Sequence, residues 1–324
     1  MKEKLWTYLI HLNANMWPAG DPESRIYLNP DKDFYSASEK LSLEWDKFNQ
    51  TLEYLPTQGI NTLIIDLGNA IKYDCHPEIA MKEGLTKDQA KELCDRVRAL
   101  GMEPVPKLNF SCCHDPWLRK YSYMVGTEEY AKVCNELIDE TCEIFDAKYF
   151  HLGLDEEVFP MQGAYGIRHV RGAHFWWRDA HRLFERCEHN NARPWVWSDD
   201  YWYHPEEFKK NMPKSVLQSN WNYDNIGFGE SDGNYRKKEF QYYVDLDRLG
   251  YDQVPTCSTW ASAVNTDATF RMCKNELSDE HFLGIMTAPW TNCQGATNLL
   301  CMQDAKRFGL AKRKYFPDEN GGKK

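Results

Sequence analysis

The 324-residue sequence has little positive charge and lacks any long hydrophobic run. It holds 39 lysine and arginine residues against 49 aspartate and glutamate residues, a formal net charge of -10 at pH 7. Phosphate backbones and anionic lipid surfaces repel such a chain over a Debye length. We therefore expect neither a nucleic acid nor a membrane surface as its partner, and a neutral or cationic molecule instead.

The N-terminal segment lacks the features of a leader or a membrane anchor. A Lys-Glu-Lys start is followed by a short apolar run that breaks at Asn13, Ala14 and Asn15. This pattern is typical of neither a secretory leader nor a membrane span, which needs about 20 apolar residues. We predict no membrane insertion. The expected location is the cytoplasm, unless a leader has been removed from this sequence.

The cysteines lack the regular spacing of a disulfide framework. There are 11 of them, an odd number, and they are scattered through segments with strand and helix patterns. Small secreted domains instead carry an even set at fixed spacings. We predict free thiols in a reducing compartment.

Metal-binding motifs are also missing. The sequence contains no Cys-x-x-Cys, His-x-His or His-Glu-x-x-His spacing, so we predict no metal and no cofactor. Metal-assisted hydrolysis stays open as an alternative, because ligand types that zinc accepts occur near two predicted strands. These residues are Cys112, Cys113, His114, Asp115, His151 and Asp155.

Aromatic residues are abundant. They form 14% of the chain and include 12 tryptophans and 18 tyrosines, within a hydrophobic content of 42% that supports a large core. Large rings pack between the layers of a fold, and they also stack on flat apolar surfaces such as the face of a sugar ring. We expect the tryptophans to be divided between these two uses.

Short apolar runs rich in β-forming residues alternate with helical patterns, which indicates parallel βαβ units. No linker, short repeat or low-complexity tract interrupts the series. We predict one (β/α)8 TIM barrel over residues 1–316, followed by a disordered tail at 317–324; an open doubly wound sheet is the alternative. The predicted strands are 5–12, 61–67, 103–108, 149–154, 194–198, 216–220, 254–258 and 284–288, and the predicted helices are 37–58, 86–100, 127–145, 174–189, 237–249, 267–277 and 299–308.

Polar and aromatic residues cluster at the carboxyl ends of the predicted strands, where barrels of this type form their active sites. Five of these strand ends carry a tryptophan. Such a rim suits a carbohydrate, because rings stack on the sugar while polar neighbours bind its hydroxyl groups. The candidate substrate-binding residues are Asn13, Asn109, His151, Trp197, Asp199, Asp200, Trp221, Tyr223, Trp260, Trp290 and Asn292.

Two adjacent carboxylates follow the fourth predicted strand. Strand alternation places His151, Gly153 and Asp155 on the side that faces the barrel, and Glu156 falls where the strand gives way to a loop. Mutual repulsion raises the pKa of one member of such a pair, as a general acid near neutral pH requires. A solvated acidic loop or a salt-bridged pair is the alternative explanation.

The whole stretch 150–156, Phe-His-Leu-Gly-Leu-Asp-Glu, resembles the His-x-Gly-x-Asp-Glu motif of family 20 glycoside hydrolases, the β-N-acetylhexosaminidases. That family carries the motif on the fourth strand of a (β/α)8 barrel. The resemblance implies an exo-acting glycosidase without a cofactor. In its retaining, substrate-assisted mechanism Glu156 is the general acid and base, and Asp155 orients a 2-acetamido group that attacks the anomeric carbon.

Other segments are similar to the same family in their order along the chain. The resemblance implies that Asp66 and His114 form a relay to Glu156. It also implies that Trp197 and Trp290, together with Trp221 after the sixth predicted strand, form the walls of the pocket for the terminal sugar.

The sequence departs from the family pattern at several positions. An arginine that binds sugar hydroxyls has no counterpart in 11–15, and Asn292 stands where the family has a glutamate. The tyrosine and aspartate after strand 7 have no match in 257–262, for which Tyr223 is a candidate substitute. The small domain that often precedes the barrel is also without a counterpart.

Two alternatives follow from these departures. The chain could be a sugar-binding barrel that has lost hexosaminidase activity. It could also use an inverting mechanism with Asp199 or Asp200 as the base. The sequence favours no particular oligomeric state.

Overall fold

The computed structural model describes residues 3–17, 37–158, 162, 169, 171–223 and 236–319. Within these residues a single eight-stranded sheet has all its neighbouring strands parallel. The strands are β1 Leu5–His11, β2 Thr62–Asp66, β3 Glu103–Lys107, β4 Tyr149–His151, β5 Arg193–Trp197, β6 Leu217–Ser219, β7 Thr256–Cys257 and β8 Gly284–Thr287.

The sheet closes into a barrel. Its strand order is β6-β5-β4-β3-β2-β1-β8-β7, so β6 and β7 lie at the two ends. Short parallel bridges join these ends, because Gln218 pairs with Gln253 and Trp221 pairs with Thr256. The predicted (β/α)8 barrel is therefore confirmed, and the open doubly wound sheet is wrong.

Helices alternate with the strands as expected for βα units. A capping box of Thr86 and Gln89 begins α2, since each side chain accepts a hydrogen bond from the other residue's backbone amide. The helices are α1 Trp45–Tyr54, α2 Lys87–Ala99, α3 Glu128–Phe145, α4 Ala173–His189, α5 Asp200–Tyr203, α6 Pro205–Asn211, α7 Arg236–Arg248, α8 Asn265–Glu276 and α9 Asn298–Tyr315, with 3-10 turns at Leu55–Gln58, Pro116–Met124 and Pro317–Glu319.

Two of the predicted helices differ from the structure by more than two residues at one end. The helix predicted over 37–58 is wrong in its first part, because 37–44 are not helical and α1 begins at Trp45. Leu43 instead forms a parallel bridge with Cys293 beyond the end of β8. At the other end of the chain α9 runs seven residues past the predicted end at 308, since Phe308 and Ala311 keep its inner face buried.

The C-terminal tail predicted at 317–324 lies mostly outside the described residues. Its first part, Pro317–Glu319, forms a 3-10 turn. The chain is described only as far as residue 319.

Inward side chains fill the barrel in layers. On β1, β2 and β3 a buried apolar residue is followed two positions later by a buried polar one on the same face. The strand register then aligns the polar residues across neighbouring strands. The pairs are Leu9 and His11, Ile64 and Asp66, and Val105 and Lys107.

All eleven cysteines are free thiols, as predicted, and ten of them are buried. Across the described residues, no helix combines the length and the apolar character needed to cross a membrane.

Candidate active site

The candidate site is built on the turn that follows β4. Strand β4 ends at His151, and Gly153, Leu154 and Glu156 then adopt φ values of 71°, 66° and 58°. The prediction of an extended strand through 154 is therefore wrong, and simple alternation does not place Asp155. Because left-handed backbone is disfavoured for residues with a Cβ, the surrounding structure must hold this turn.

Gly153 allows a close approach by Asn109. A Cβ on Gly153 would lie 2.1 Å from the Oδ1 atom of Asn109. That oxygen accepts the backbone amides of Ser111 and Leu154, and the Asn109 Nδ2 donates to Asp155 Oδ1 at 2.8 Å. The structure thus places Asn109, a predicted substrate-binding residue, as a support for Asp155.

Both carboxylates of the motif converge on one histidine. The Nε2 atom of His114 lies 3.1 Å from Glu156 Oε2 and 3.4 Å from Asp155 Oδ2. Asp155 is 7% exposed, whereas the Glu156 side chain keeps 20% of its surface in contact with solvent. The predicted contact between His114 and Glu156 is present, and Asp155 joins it.

These contacts set the charge of the buried groups. Burial opposes charge on His114, but the Asp155 and Glu156 carboxylates outweigh it and hold the histidine pKa well above its ordinary value. Burial likewise opposes charge on Asp155, but His114, Lys107 and Asn109 hold its pKa well below the ordinary value. At neutral pH the site therefore contains an imidazolium next to an ionised Asp155.

Asp66 lies in a different network from the one implied by the family resemblance. Its Oδ2 atom accepts a hydrogen bond from Lys107 Nζ at 2.6 Å and lies 3.1 Å from His11 Nδ1. Burial would raise the Asp66 pKa, but Lys107 and His11 lower it to about 2. The structure therefore joins Asp66 to Lys107 and His11 in one buried ionic group.

Sequence reasoning did not identify Lys107. Its side chain is fully buried in the barrel, and its charge contributes to the low pKa of Asp155. Strand alternation could have identified it, because Val105 faces the barrel interior and Lys107 is two positions further along β3.

The two predicted acidic residues after β5 have different partners. Asp199 is 2% exposed, and its Oδ2 atom accepts the backbone amide of Glu156 at 2.7 Å. The Oδ1 atom of Asp200 instead lies 2.9 Å from the Nδ1 atom of His204, the residue that follows α5. Only Asp199 is therefore joined to the motif by a hydrogen bond.

Aromatic rings surround the carboxylates. The Trp290 ring lies 5.4 Å from His11, 6.1 Å from Trp197 and 6.0 Å from Tyr223, measured between centroids. Trp17, at the end of β1, lies 6.4 Å from His114. His11 and Trp197 lie on β1 and β5, whereas Trp17, Tyr223 and Trp290 lie in the loops after β1, β6 and β8, and together these rings form one wall near the motif.

A second set of rings continues outward from Tyr223. Trp221 stacks on Tyr223 at 5.3 Å, and Trp260 packs edge-on to Tyr223 at 6.5 Å while staying 40% exposed. Trp202, which sequence reasoning missed, lies 4.5 Å from Trp221, and its indole nitrogen donates to Asn220. The predicted rings after β5 to β8 are thus brought together.

Tyr223 lies near the charged groups. Burial raises its pKa well above the ordinary value, and the Asp155 and Glu156 carboxylates raise it further. The neighbouring Trp290 side chain opposes this effect. Tyr223 therefore keeps its proton and can donate it in a hydrogen bond within the site.

The remaining predicted substrate-binding residues support loops. Asn13 donates to the main chain after β2, and His151 Nδ1 accepts the Gly153 amide at 3.1 Å. Burial and the charge of Lys107 lower the His151 pKa well below its ordinary value, so the ring is neutral. Asn292 accepts a hydrogen bond from a threonine hydroxyl at the start of α9.

Only some of the residues considered as metal ligands lie close together in the structure. His114, Asp155 and Glu156 offer atoms within 4.8 Å of one another, and no other such group occurs among the described residues. Cys113 donates to the Glu156 carbonyl, whereas Asp115 accepts the hydroxyl of a tyrosine on α3. A metal at this position would have to displace the proton that the adjacent carboxylates favour on His114.

The fold is shared with solved structures of glycosidases. They include a β-N-acetylhexosaminidase from Bacteroides fragilis (12% identity, TM-score 0.60, 98% of this chain and 71% of that chain). They also include a chitobiase from Flavobacterium johnsoniae (14%, 0.60, 96% and 50%) and a family 20 exo-β-N-acetylglucosaminidase from Vibrio harveyi in complex with N-acetylglucosamine (11%, 0.59, 98% and 57%). The chain thus spans between half and about seven tenths of these neighbours.

No protein-family profile and no curated protein matches the sequence. At identities of 11 to 14% the solved structures establish a common fold.

The buried ionic group predicts a large effect of removing one charge. In Lys107→Met, Asp66 loses its closest cation, so we expect a loss of about 3–5 kcal/mol in the free energy of unfolding. Urea unfolding at pH 7 measures this loss. The double variant Lys107→Met/Asp66→Asn is the control and should recover much of it, because no lone buried charge remains.

Asp66 should make the folded chain less stable at acidic pH than at neutral pH. The folded-state pKa of Asp66 is lowered from 3.8 to about 2. Its stabilising contribution is therefore present above the unfolded value and is lost as the pH falls from 3.8 towards 2. In Lys107→Met the Asp66 pKa should rise, because burial is then opposed by His11 alone, and the stability lost over this pH range should become smaller. An unchanged acid-unfolding curve would contradict the assigned pair.

Proposed function

We propose that this chain is a family 20 glycoside hydrolase: an exo-acting, retaining β-N-acetylhexosaminidase with a substrate-assisted mechanism. The observation that supports the proposal best is the joint contact of Asp155 and Glu156 with His114 at one end of the barrel, inside a wall of aromatic rings. Solved structures with the same fold are named as β-N-acetylhexosaminidases, and one holds N-acetylglucosamine.

Glu156 is the proposed general acid and base. Its carboxyl retains solvent contact and lies 3.1 Å from the protonated Nε2 atom of His114. In the first step it gives a proton to the glycosidic oxygen, and in the second it takes a proton from the attacking water. His114 keeps its own proton beside Glu156, because the ionised Asp155 favours the imidazolium.

Asp155 is the proposed partner of the 2-acetamido group. It is ionised, and Asn109 fixes one of its oxygens. An ionised carboxylate can accept the amide N–H of the substrate and stabilise the positive charge that develops when the acetamido oxygen attacks the anomeric carbon. The charge of Lys107 helps to keep Asp155 in this form.

Tyr223 and the indole rings are the proposed contacts for the rest of the sugar. The phenol lies within electrostatic range of both carboxylates and keeps its proton, so it can donate to the acetamido oxygen. Trp197, Trp221 and Trp290 offer faces for stacking on the pyranose. Tyr223 thus replaces the family's tyrosine after strand 7, which has no counterpart in 257–262.

Proton transfer by Glu156 can be tested with substrates that differ in their leaving groups. We expect Glu156→Gln to lower kcat by roughly 100- to 10,000-fold on alkyl N-acetyl-β-glucosaminides, because their leaving groups need a proton. On aryl substrates with acidic phenols the loss should be much smaller. The comparison of kcat across a leaving-group series measures this difference.

Glu206→Gln is the matched control, since Glu206 lies on α6 with its side chain 84% exposed. It should behave like the unchanged chain on every substrate. Equal losses for Glu156→Gln on both substrate types would refute its role as the acid. If no glycoside is cleaved by the unchanged chain, while N-acetylglucosamine still raises the Tm, the alternative of a sugar-binding barrel without turnover is correct.

Participation of the 2-acetamido group can be tested with sugars that have or lack it. We expect aryl N-acetyl-β-glucosaminides to be cleaved far faster than the matching β-glucosides, and Asp155→Ala to lower kcat on the former by roughly 100- to 1,000-fold. The measurement is kcat/KM for both sugars with the same leaving group. Similar values for the two sugars would contradict substrate assistance.

A further inference from the structure

The turn that carries Asp155 and Glu156 is held against β5 by three hydrogen bonds. Two of them join main-chain atoms: the Leu152 amide donates to Trp195, and the Trp197 amide donates to Gly153. The third joins the Glu156 amide to the Asp199 side chain at 2.7 Å. Only the third therefore depends on the identity of a side chain.

That third hydrogen bond acts at a residue of the turn that has a left-handed backbone. Glu156 has a φ of 58° although it carries a Cβ, and a residue in this region needs contacts that compensate for its strain. Its amide points to Asp199, whereas its carboxylate reaches His114. The backbone conformation of Glu156 thus determines which way its side chain leaves the turn.

We propose that Asp199 is a positioning residue for the general acid: its carboxyl holds the Glu156 backbone in the left-handed conformation that directs the Glu156 side chain to His114. This inference rests on the proposed function. It replaces direct substrate binding as the role of Asp199, because one carboxyl oxygen is already used by the Glu156 amide.

The surroundings of Asp199 suit this role. Its side chain is 2% exposed, and its Oδ1 atom has no hydrogen-bond partner among the described residues. Burial raises its pKa well above the ordinary value, and the Asp155 and Glu156 carboxylates raise it further. A neutral carboxyl accepts the Glu156 amide without adding another negative charge next to two carboxylates. Asparagine has nearly the same shape and the same acceptor.

The test compares Asp199→Ala with Asp199→Asn in the full chain. In Asp199→Ala the Glu156 amide loses its acceptor, and we expect kcat on alkyl N-acetyl-β-glucosaminides to fall about 100-fold, the usual effect of a displacement near 1 Å. On aryl substrates with acidic phenols the fall should be under about threefold, because these need little help from an acid. Asp199→Asn should stay within about threefold of the unchanged chain on both substrates.

The way in which the fall in kcat depends on the leaving group distinguishes a positioning role of Asp199 from a general loss of structure. Asp304→Ala is the control, since Asp304 is also fully buried and bonds Thr259 and Thr287 through its carboxyl. We expect it to lower the Tm and to change both substrates by the same factor. A uniform loss in Asp199→Ala would overturn the proposal. A loss in Asp199→Asn as large as in Asp199→Ala would also overturn it and would favour Asp199 as a base.

A failure of the proposed function can be distinguished from a failure of the positioning role of Asp199. If the unchanged chain cleaves no glycoside, the function is wrong, and the crystal structure of Asp199→Ala then decides the positioning role. We expect Glu156 to leave the left-handed region and its carboxylate to move away from His114. An unchanged φ at Glu156 in that structure would refute the inference.

Discussion

The structure of the site depends on pairing charges that the barrel removes from water. Asp66 and Lys107 are almost fully buried, and a lone charge at either position would be strongly destabilising. The same constraint applies one layer further along the barrel, where Asp155 shares His114 with Glu156. Asp66 and Asp155 thus keep their charges because a cation lies next to each of them.

The two layers are electrostatically connected. Lys107 bonds directly to Asp66, yet its charge also lowers the pKa of Asp155 and of His151. Lys107 therefore acts on the motif as well as on Asp66. This charge helps to keep Asp155 ionised, as its role in the proposed mechanism requires.

The elements around the site have distinct tasks. Strand β5 fixes the turn after β4 through main-chain bonds and Asp199, and the loop after β3 supplies Asn109 and His114. The rings come from the ends of β1, β5, β6 and β8 and from the loops beyond them. Strand β1 contributes His11 to the ionic group where the family resemblance implies an arginine. Hydroxyl recognition, if the proposed function holds, must then use other residues.

The sequence by itself determined the barrel, the adjacent carboxylates after β4 and the tryptophans at the strand ends. These features are local, because β-forming runs, alternation and motif spacing are read within a few residues. Only the tertiary structure decided that Asp66 pairs with Lys107, that the turn after His151 is left-handed and that Asp199 bonds the Glu156 amide. The residues in those two contacts are more than 40 positions apart in the chain. They meet only when strand register and barrel closure are fixed, and both arise from packing of the whole chain.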